Sequence, residues 1–446
     1  MRVDDERESG WFAAMRACAF GAAGEVEARA HAARLAEIWR QLARDDRRRF
    51  LRLMARHFGA DPAAITAATA GWQTAGDEAR RLETARELRC ALEPPYRRIL
   101  VRLNGVGEGT ALLVELRAHL LALGGAEPHL RALDDELLDL LRSWFDFGFL
   151  ELQRITWNSP AALLEKLIHY EAVHAIGSWD DLHNRLDSDR RCYALFHPSL
   201  PGEPLAFTEV ALTRGLPGSV QALLDEQAPL DDPTRADTAA FYSISSCQRG
   251  LQGVSFGEYL IRRVVAELGR DLPQIRTWAT LSPIPGFRVW LDARYGRGRQ
   301  DPSGTPPAPG RDPARADDEL LAAALEDPAW VSDDARLVHL RPALLRLCAR
   351  YFTERRGDGS PLDPVARFHL RNGAGLERLC FLGDVSRKGL RQSLGIMVNY
   401  RYDPERIEHN QAAFETRREL ALAPAITQLA STALDSDAPP SGAALP

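Results

Sequence analysis

The stretch between residues 241 and 287 restricts the fold of this chain more than any other part of the sequence. Residues 240–245 are typical of a β-strand, and residues 248–258, which follow at once, form a glycine-spaced turn. From residue 259 to residue 268, apolar side chains recur at helical spacing, which gives a helix with one apolar face. The predicted local order is therefore strand, glycine turn and helix.

The glycine turn has the features of a phosphate-binding cradle. Glycine lets a ligand approach the backbone closely, and the free N–H groups at a helix N-terminus attract anions. Its glycines, at 250, 253 and 257, match neither a Walker loop nor the dinucleotide-binding fingerprint. The pattern alone leaves two interpretations open: a pyrophosphate site, and a tight strand-to-helix connection without a ligand.

Residues 1–154 predict an all-helical bundle of four or more helices, which we interpret as an oligomerisation or support domain. Its glycine-rich segment 104–110 precedes a helix, as a nucleotide-binding loop does. A helical pattern precedes this segment and no lysine follows it, so we interpret it as a connection between helices, with Thr110 as the N-cap.

From residue 155 the pattern changes to strands that alternate with helices. Residues 191–196 and 205–212 predict two strands joined by a turn, and the alternation predicts a mixed α/β domain over residues 155–430. The predicted class of the whole chain is α+β. Composition also predicts a flexible insertion at 296–318 and a disordered tail at 431–446.

Charge, hydropathy and cysteine content argue against a nucleic-acid-binding protein, a membrane-spanning protein and a disulfide-stabilised protein. A formal net charge of -6 gives no reason to expect a nucleic-acid partner, and no apolar run is long enough to span a membrane. The six cysteines are scattered without a Cys-x-x-Cys pair, so we expect reduced residues, without a disulfide framework or a metal site. The start of the chain has no export signal, and we expect a cytoplasmic protein of bacterial type.

Seven separate segments, in this order, closely resemble the malonyl-CoA decarboxylase family. They are spread over the chain from about residue 155 to residue 402, and several motifs in the right order are more specific than any single one. The segments are 154–160, 170–174, 197–205, 248–258, 281–287, 363–373 and 399–402.

The resemblance implies a fold of the GNAT acyltransferase type and loss of carbon dioxide from malonyl-CoA. It implies a homodimer or homotetramer, and no metal, biotin or nicotinamide cofactor. The coenzyme A pyrophosphate would lie at the turn formed by Gln252, Gly253, Val254, Ser255, Phe256, Gly257 and Glu258.

The resemblance also implies that Ser282 and His369 are the catalytic pair. Ser282 would orient the malonyl carboxylate or take part in proton transfer, and His369, with a pKa set near neutral, would supply the proton. Without the resemblance, the serine of a Ser-Pro turn and a core histidine would explain both residues. Tyr402 matches a tyrosine that lies near the site in relatives, although strand packing explains it as well. Lys166 matches a lysine that is important in relatives, although a solvated helix face explains it as well.

One departure from the family pattern and three other functions have to be considered. Relatives often carry a glutamate in the turn where this chain has Ser255, and here a glutamate stands at 258 instead. A shared fold does not fix the function, so an acyltransferase and a methylmalonyl-CoA decarboxylase stay open. A non-catalytic acyl-CoA sensor is the alternative from a different class, and it would not need both Ser282 and His369.

Overall fold

The computed structural model describes residues 2–21, 24–124, 127–295 and 328–431. By their internal contacts these residues form two compact units. The helical unit consists of the described parts of Met1–Gln153 together with Ala194–Phe207 and Ser246–Leu260. The sheet unit consists of the described parts of Arg154–Tyr193, Thr208–Ser245 and Ile261–Pro446. The predicted domain boundary between residues 154 and 155 stays a prediction.

Helices account for the described N-terminal part of the chain, as the sequence predicts. Their apolar stripes form the core, for example Leu113, Leu116 and Leu120 on one helix and Leu35 and Trp39 on another. The helices are α1 (Arg2–Phe20), α2 (Glu25–Gln41), α3 (Arg44–His57), α4 (Pro62–Gln73), α5 (Glu78–Leu92), α6 (Pro95–Asn104), α7 (Gly109–Leu123) and α8 (Pro128–Trp144).

The glycine-rich segment at 104–110 joins α6 to α7, so the predicted connection between helices is confirmed. The predicted cap is wrong. Glu108, in the left-handed conformation, is the residue before α7, and Thr110 lies inside the helix. The Thr110 hydroxyl instead donates to Asn104 Oδ1 at 2.8 Å, which closes the turn between the two helices.

Within the described residues, eight strands form one mixed sheet in the order β1-β2-β3-β4-β5-β8-β6, with β7 paired to β8. β4 and β5 are parallel, whereas β8 runs antiparallel to β5, β6 and β7. The strands are β1 (Glu151–Ile155), β2 (Arg190–Phe196), β3 (Ala206–Thr213), β4 (Thr238–Ser246), β5 (Thr277–Thr280), β6 (Ser282–Pro283), β7 (Gly375–Cys380) and β8 (Met397–Tyr402).

The central strands β2, β3 and β4 are buried along nearly their whole length, which explains their continuous apolar sequences. The other helices are α9 (Ala161–Tyr170), α10 (Trp179–Arg185), α11 (Val220–Leu224), α12 (Phe256–Asp271), α13 (Phe287–Tyr295), α14 (Asp334–Thr353), α15 (Pro364–Arg371), α16 (Arg387–Ser393), α17 (Ile407–Arg417) and α18 (Pro424–Ser431).

The order of elements, a helical region followed by a mixed sheet with helices, confirms the predicted α+β class. The strand, turn and helix predicted around the glycines are present as β4, the turn and α12. The predicted insertion at 296–318 lies outside the described residues. So does the predicted tail, apart from Ser431, which ends α18.

Candidate active site

Ser282 lies in the sheet unit, on the short strand β6 that continues the line of β5. Its backbone pairs with Val398 of β8, which fixes where the side chain points. The side chain is buried, with the whole residue 6% exposed. The Ser282 hydroxyl donates to Thr280 Oγ1 at 2.8 Å and lies 3.2 Å from His369 Nε2.

His369 reaches Ser282 because the start of α15 is fixed. Pro364 stands at the first helical position, and the Asp363 side chain caps the helix by accepting the backbone N–H groups of Val365 and Ala366 at 2.9 Å each. His369 follows one turn later and is 3% exposed.

Tyr402 completes a line of hydrogen bonds through the imidazole. Its hydroxyl lies 2.8 Å from His369 Nδ1, on the side of the ring away from Ser282. When Ser282 donates to Thr280, its oxygen accepts from His369 Nε2, and Nδ1 then accepts from Tyr402. Because hydroxyl hydrogens rotate, the same contacts also serve the opposite direction, so the line of groups can pass a proton either way.

Burial determines the charge of His369. Removal from water disfavours the imidazolium ion and lowers the pKa of His369 to about 3. The imidazole is therefore neutral at pH 7 in the ligand-free protein. A near-neutral pKa, as expected from the sequence, is not what this environment produces.

Two residues that the sequence did not single out hold the serine and the histidine in place. The Thr280 hydroxyl accepts both the Ser282 hydroxyl and the Tyr400 backbone N–H, the latter at 3.2 Å. The Tyr400 ring stacks on the His369 ring, with centroids 4.4 Å apart and an angle of 26° between the planes. Tyr400 lies inside the matching segment 399–402 and Thr280 directly precedes the segment 281–287, and these positions were the available signal.

Asn399 and Asp363 link the elements that carry the pair. Asn399 is fully buried and its side-chain amide donates to the Thr280 carbonyl at 2.8 Å, so it ties β8 to the end of β5. Asp363, besides capping α15, accepts the Gly286 backbone N–H at 3.4 Å, which connects the Ser-Pro-Ile-Pro-Gly segment to the helix of His369. Burial raises the pKa of Asp363, although its backbone hydrogen bonds oppose the change.

The glycine turn lies in the helical unit, where arginines from two helices hold its carbonyl groups. Arg117 of α7 donates to the carbonyls of Gly250 at 2.8 Å and Gln252 at 2.6 Å, and it also pairs with Asp134. Arg142 of α8 donates to the Gly253 carbonyl at 3.3 Å. The shape of the turn is therefore set by side chains of the N-terminal helices.

Two glycines of the turn are required by its geometry. A Cβ atom at Gly250 would lie 1.8 Å from the Val114 carbonyl oxygen, so only glycine allows this approach to α7. Gly253 has a φ of +93°, which other residues rarely adopt. The N–H groups of Gly253 and Ser255 have no acceptor within the described chain, whereas the N–H of Phe256 donates to the Val254 carbonyl at 2.9 Å.

Comparison with known proteins agrees with the seven matching segments. Residues 58–145 match the model of the malonyl-CoA decarboxylase N-terminal domain, and residues 148–439 match that of the malonyl-CoA decarboxylase C-terminal domain. The mitochondrial malonyl-CoA decarboxylase of Anser anser anser is 38% identical over 385 residues, which are 82% of this chain and 76% of that protein. The chain belongs to the malonyl-CoA decarboxylase family. The predicted family is confirmed, and so is the prediction of an enzyme.

Solved structures of the malonyl-CoA decarboxylase family share the fold of this chain. The crystal structure from Agrobacterium vitis matches with a TM-score of 0.84 at 43% identity, over 94% of this chain and 99% of that one. The structure from Rhodopseudomonas palustris has the same TM-score and coverage at 42% identity. The agreement extends over both the helical and the strand-rich parts of the sequence.

Of the site residues that the family resemblance implied, the structure brings together Ser282, His369 and Tyr402. Lys166 is half-buried on α9 and is not a hydrogen-bonding partner of Ser282 or His369. Residues 252–255 form the turn described above, and residues 256–258 are the first residues of α12. The catalytic and binding roles of all these residues stay predictions.

The other lysine of the chain, Lys388, has a structural position within this family fold. Its ammonium group donates to the carbonyls of Ala172 at 2.7 Å and Val173 at 2.8 Å. The carboxylate of Glu171 accepts the Ser243 hydroxyl at 2.7 Å. The bond between Ser243 and Glu171 is buried and those of Lys388 are exposed, and together they hold the segment 170–174 in place.

Three general properties of the described residues concern membranes, metal ions and disulfides. Over the described ranges, no helix is long and apolar enough to cross a membrane. Within the same ranges, no group of three or more histidine, cysteine or acidic side chains is arranged to hold a metal ion. The five buried cysteines and the exposed Cys90 are all unpaired with one another.

Proposed function

We propose that this chain converts malonyl-CoA into acetyl-CoA and carbon dioxide, with Ser282 and His369 as the catalytic pair. Family membership supports the reaction. The observation that carries the proposal is the buried contact of 3.2 Å between Ser282 Oγ and His369 Nε2, backed by Tyr402 at 2.8 Å.

The reaction needs an acid and a site for negative charge. The bond between the carboxylate carbon and Cα breaks, carbon dioxide leaves, and the electron pair passes to the thioester as an enolate. The enolate carbon then takes one proton, which gives acetyl-CoA. Because the thioester carbonyl is itself the electron sink, the proposal includes no metal, biotin or nicotinamide.

The substrate brings the charge that makes His369 an acid. Burial keeps the free imidazole neutral, with a pKa of about 3, but the malonyl carboxylate would place a negative charge next to it. An adjacent anion favours the imidazolium form and raises the pKa, so a proton is taken up together with the substrate. When carbon dioxide leaves, this proton passes to the enolate carbon, directly or through the Ser282 hydroxyl.

Ser282 orients the malonyl group in this scheme. Thr280 and His369 hold its oxygen from two sides. When the hydroxyl hydrogen turns from Thr280 to the malonyl carboxylate, it donates to the carboxylate from this fixed position. A carboxylate held out of the thioester plane has its breaking bond aligned with the carbonyl π system, which favours its loss.

The glycine turn is proposed to hold the coenzyme A pyrophosphate. Support comes from the unpartnered N–H groups of Gly253 and Ser255 and from the positive end of the α12 dipole. Since these are backbone groups, replacement of the family glutamate by Ser255 leaves them in place. The predicted homodimer or homotetramer and the cytoplasmic location stay predictions.

The test measures acetyl-CoA formation from malonyl-CoA by the wild type and by the Ser282→Ala and His369→Ala variants. Ser393→Ala is the matched control, because it also removes a buried serine hydroxyl. We expect both site variants to lose at least about 100-fold in kcat, as is typical for removal of a general acid, while acetyl-CoA binding stays within about twofold.

Three results would overturn the proposal. Full turnover by either site variant would remove that residue from the mechanism. Tight binding of malonyl-CoA by the wild type without turnover would favour the acyl-CoA sensor. A higher kcat/KM for methylmalonyl-CoA than for malonyl-CoA would change the substrate.

A further inference from the structure

A small basic cavity lies in the helical unit, and no function described above uses it. Its volume is about 220 Å³, which is below the about 300–1,000 Å³ of pockets that enclose a whole drug-sized ligand. A cavity of this size accommodates one charged group and the few ligand atoms attached to it. It is lined by Arg44, Arg48, Ala118, His119, Ala122 and Arg249.

The cavity has positive charge and no acidic lining residue. Three of its lining side chains are guanidinium groups. Among the described residues Arg44 and Arg249 form no ion pair, and Arg48 has only Asp45 at 3.8 Å, an aspartate whose side chain is 91% exposed. Three neighbouring guanidinium groups repel one another, and their planar donors match the oxygens of a phosphate.

His119 adds a hydrogen-bond donor to the cavity without adding negative charge. Its Nε2 accepts a hydrogen bond from Arg47 at 2.8 Å, so in the neutral imidazole the proton is on Nδ1. Burial lowers the pKa of His119, and the charges of Arg47 and Arg44 act in the same direction. Since Nε2 accepts from Arg47, the Nδ1–H is the group that the ring keeps to donate to an acceptor.

Arg249 connects this cavity to the glycine turn. It opens the 3-10 helix Arg249–Leu251, which leads directly into residues 252–258. In coenzyme A the 3′-phosphate sits on the ribose that also carries the pyrophosphate. A ligand whose pyrophosphate lies at the turn must therefore place its 3′-phosphate within one sugar of that turn, and Arg249 is the cavity residue nearest to it in sequence.

We propose that this cavity binds a phosphate monoester, the 3′-phosphate of the coenzyme A part of the substrate, through Arg249, Arg44 and Arg48. The proposal rests on the proposed function, because it assumes that the ligand is a coenzyme A thioester. It assigns to the helical unit a part in recognising the substrate.

The experiment compares the binding of acetyl-CoA and of acetyl-3′-dephospho-CoA by calorimetry at low salt, in the wild type and in Arg249→Ala and Arg44→Ala. Hydrogen bonds to a charged group change affinity by about 10-fold or more. We expect the wild type to prefer the phosphorylated ligand by at least about 10-fold and each variant to reduce this ratio to about 3-fold or less. Binding of the dephospho ligand should not change between the proteins.

Two controls separate recognition from folding. Arg86→Ala removes an exposed arginine of α5 that does not line the cavity and should keep the wild-type ratio. Arg249→Lys keeps the positive charge but lacks the planar guanidinium group, so it should keep part of the preference for the phosphorylated ligand. Thermal unfolding of each variant confirms that the comparison is made on folded protein.

The outcomes distinguish this proposal from the proposed function. Equal binding of the two ligands by the wild type would overturn the cavity proposal even if malonyl-CoA is decarboxylated. A phosphate preference that Arg249→Ala abolishes would support the cavity, even if malonyl-CoA is bound without turnover. If the cavity binds inorganic phosphate but the wild type shows no preference between the two ligands, the cavity proposal is also overturned, since the site would then bind free phosphate and not the 3′-phosphate of coenzyme A.

Discussion

The Thr280 hydroxyl offers the sharpest test of how the active site is held. Thr280 is fully buried, and its Oγ1 accepts the Ser282 hydroxyl at 2.8 Å and the Tyr400 backbone N–H at 3.2 Å. Thr280→Val replaces this oxygen by a methyl group of similar size. The substitution therefore removes two hydrogen bonds and leaves the packing nearly unchanged.

Each lost bond has its own expected magnitude. The Tyr400 N–H would be left buried without its acceptor, which costs about 1–3 kcal/mol of stability. The Ser282 hydroxyl would lose one of the two contacts that orient it. If this raises the barrier by about 1.4–2.7 kcal/mol, kcat falls by about 10- to 100-fold. The KM for malonyl-CoA should change little, since Thr280 acts on Ser282 and not on the coenzyme A part.

The assay measures kcat and KM for malonyl-CoA together with the free energy of unfolding in urea. Thr280→Ser is the control, because it keeps the hydroxyl and removes a methyl group; it should retain most of kcat despite a loss of about 1 kcal/mol in stability. If Thr280→Val and Thr280→Ser have the same kcat, the hydroxyl does not orient Ser282 and the reasoning is refuted.

Three further substitutions or conditions follow from the structure. Tyr402→Phe removes the hydrogen bond to His369 Nδ1, and we expect kcat to fall about 10-fold or more in steady-state assays, with wild-type activity contradicting a role in proton transfer. Gly250→Ala brings a Cβ atom to 1.8 Å from a backbone oxygen and should cost about 3 kcal/mol in urea unfolding, whereas Gly107→Ala, which meets nothing within 4 Å, should cost far less. Burial lowers the pKa of His369 to about 3 and that of His174 to about 4, so below pH 6.5 both rings take up protons in the unfolded chain and oppose folding, whereas burial raises the pKa of Glu209 to about 8 and acts in the opposite direction. The contribution of one histidine between pH 7 and pH 5 is about 2 kcal/mol, so urea unfolding of the wild type should lose about 2 kcal/mol more than that of His174→Gln over this range, and an equal pH dependence of the two proteins would contradict it.

Local sequence patterns predicted the elements around the site well, because each of them has a strong periodic or turn signal. The strand at 238–246, the glycine turn and the helix at 256–271 follow from β-propensity, glycine spacing and an apolar stripe. The strands at 190–196 and 206–213 were found in the same way. The helix of His369 was not predicted, although Asp363 and Pro364 carry the signal of a helix start.

The environment of the catalytic pair could not be derived in this way. Ser282 and His369 are 87 residues apart, and their contact depends on the pairing of β6 with β8 and on the cap of α15. The low pKa of His369 results from complete burial, which a single-sequence pattern around residues 365–370 does not specify. Thr280 has an ordinary strand sequence, and only the tertiary structure shows that its hydroxyl lies against Ser282.

The hydrogen bonds from Arg117 and Arg142 to the glycine turn limit how this chain can be divided into fragments that fold separately. A fragment that starts at residue 148, where the C-terminal family region begins, would contain the turn but neither arginine. In such a fragment, water would have to hydrogen-bond to the carbonyl groups of the turn. The backbone at Gly250 would also lose its close contact with α7. The two halves of the sequence are therefore not interchangeable cassettes, and a chimera between relatives would have to exchange α7, α8 and residues 246–260 together.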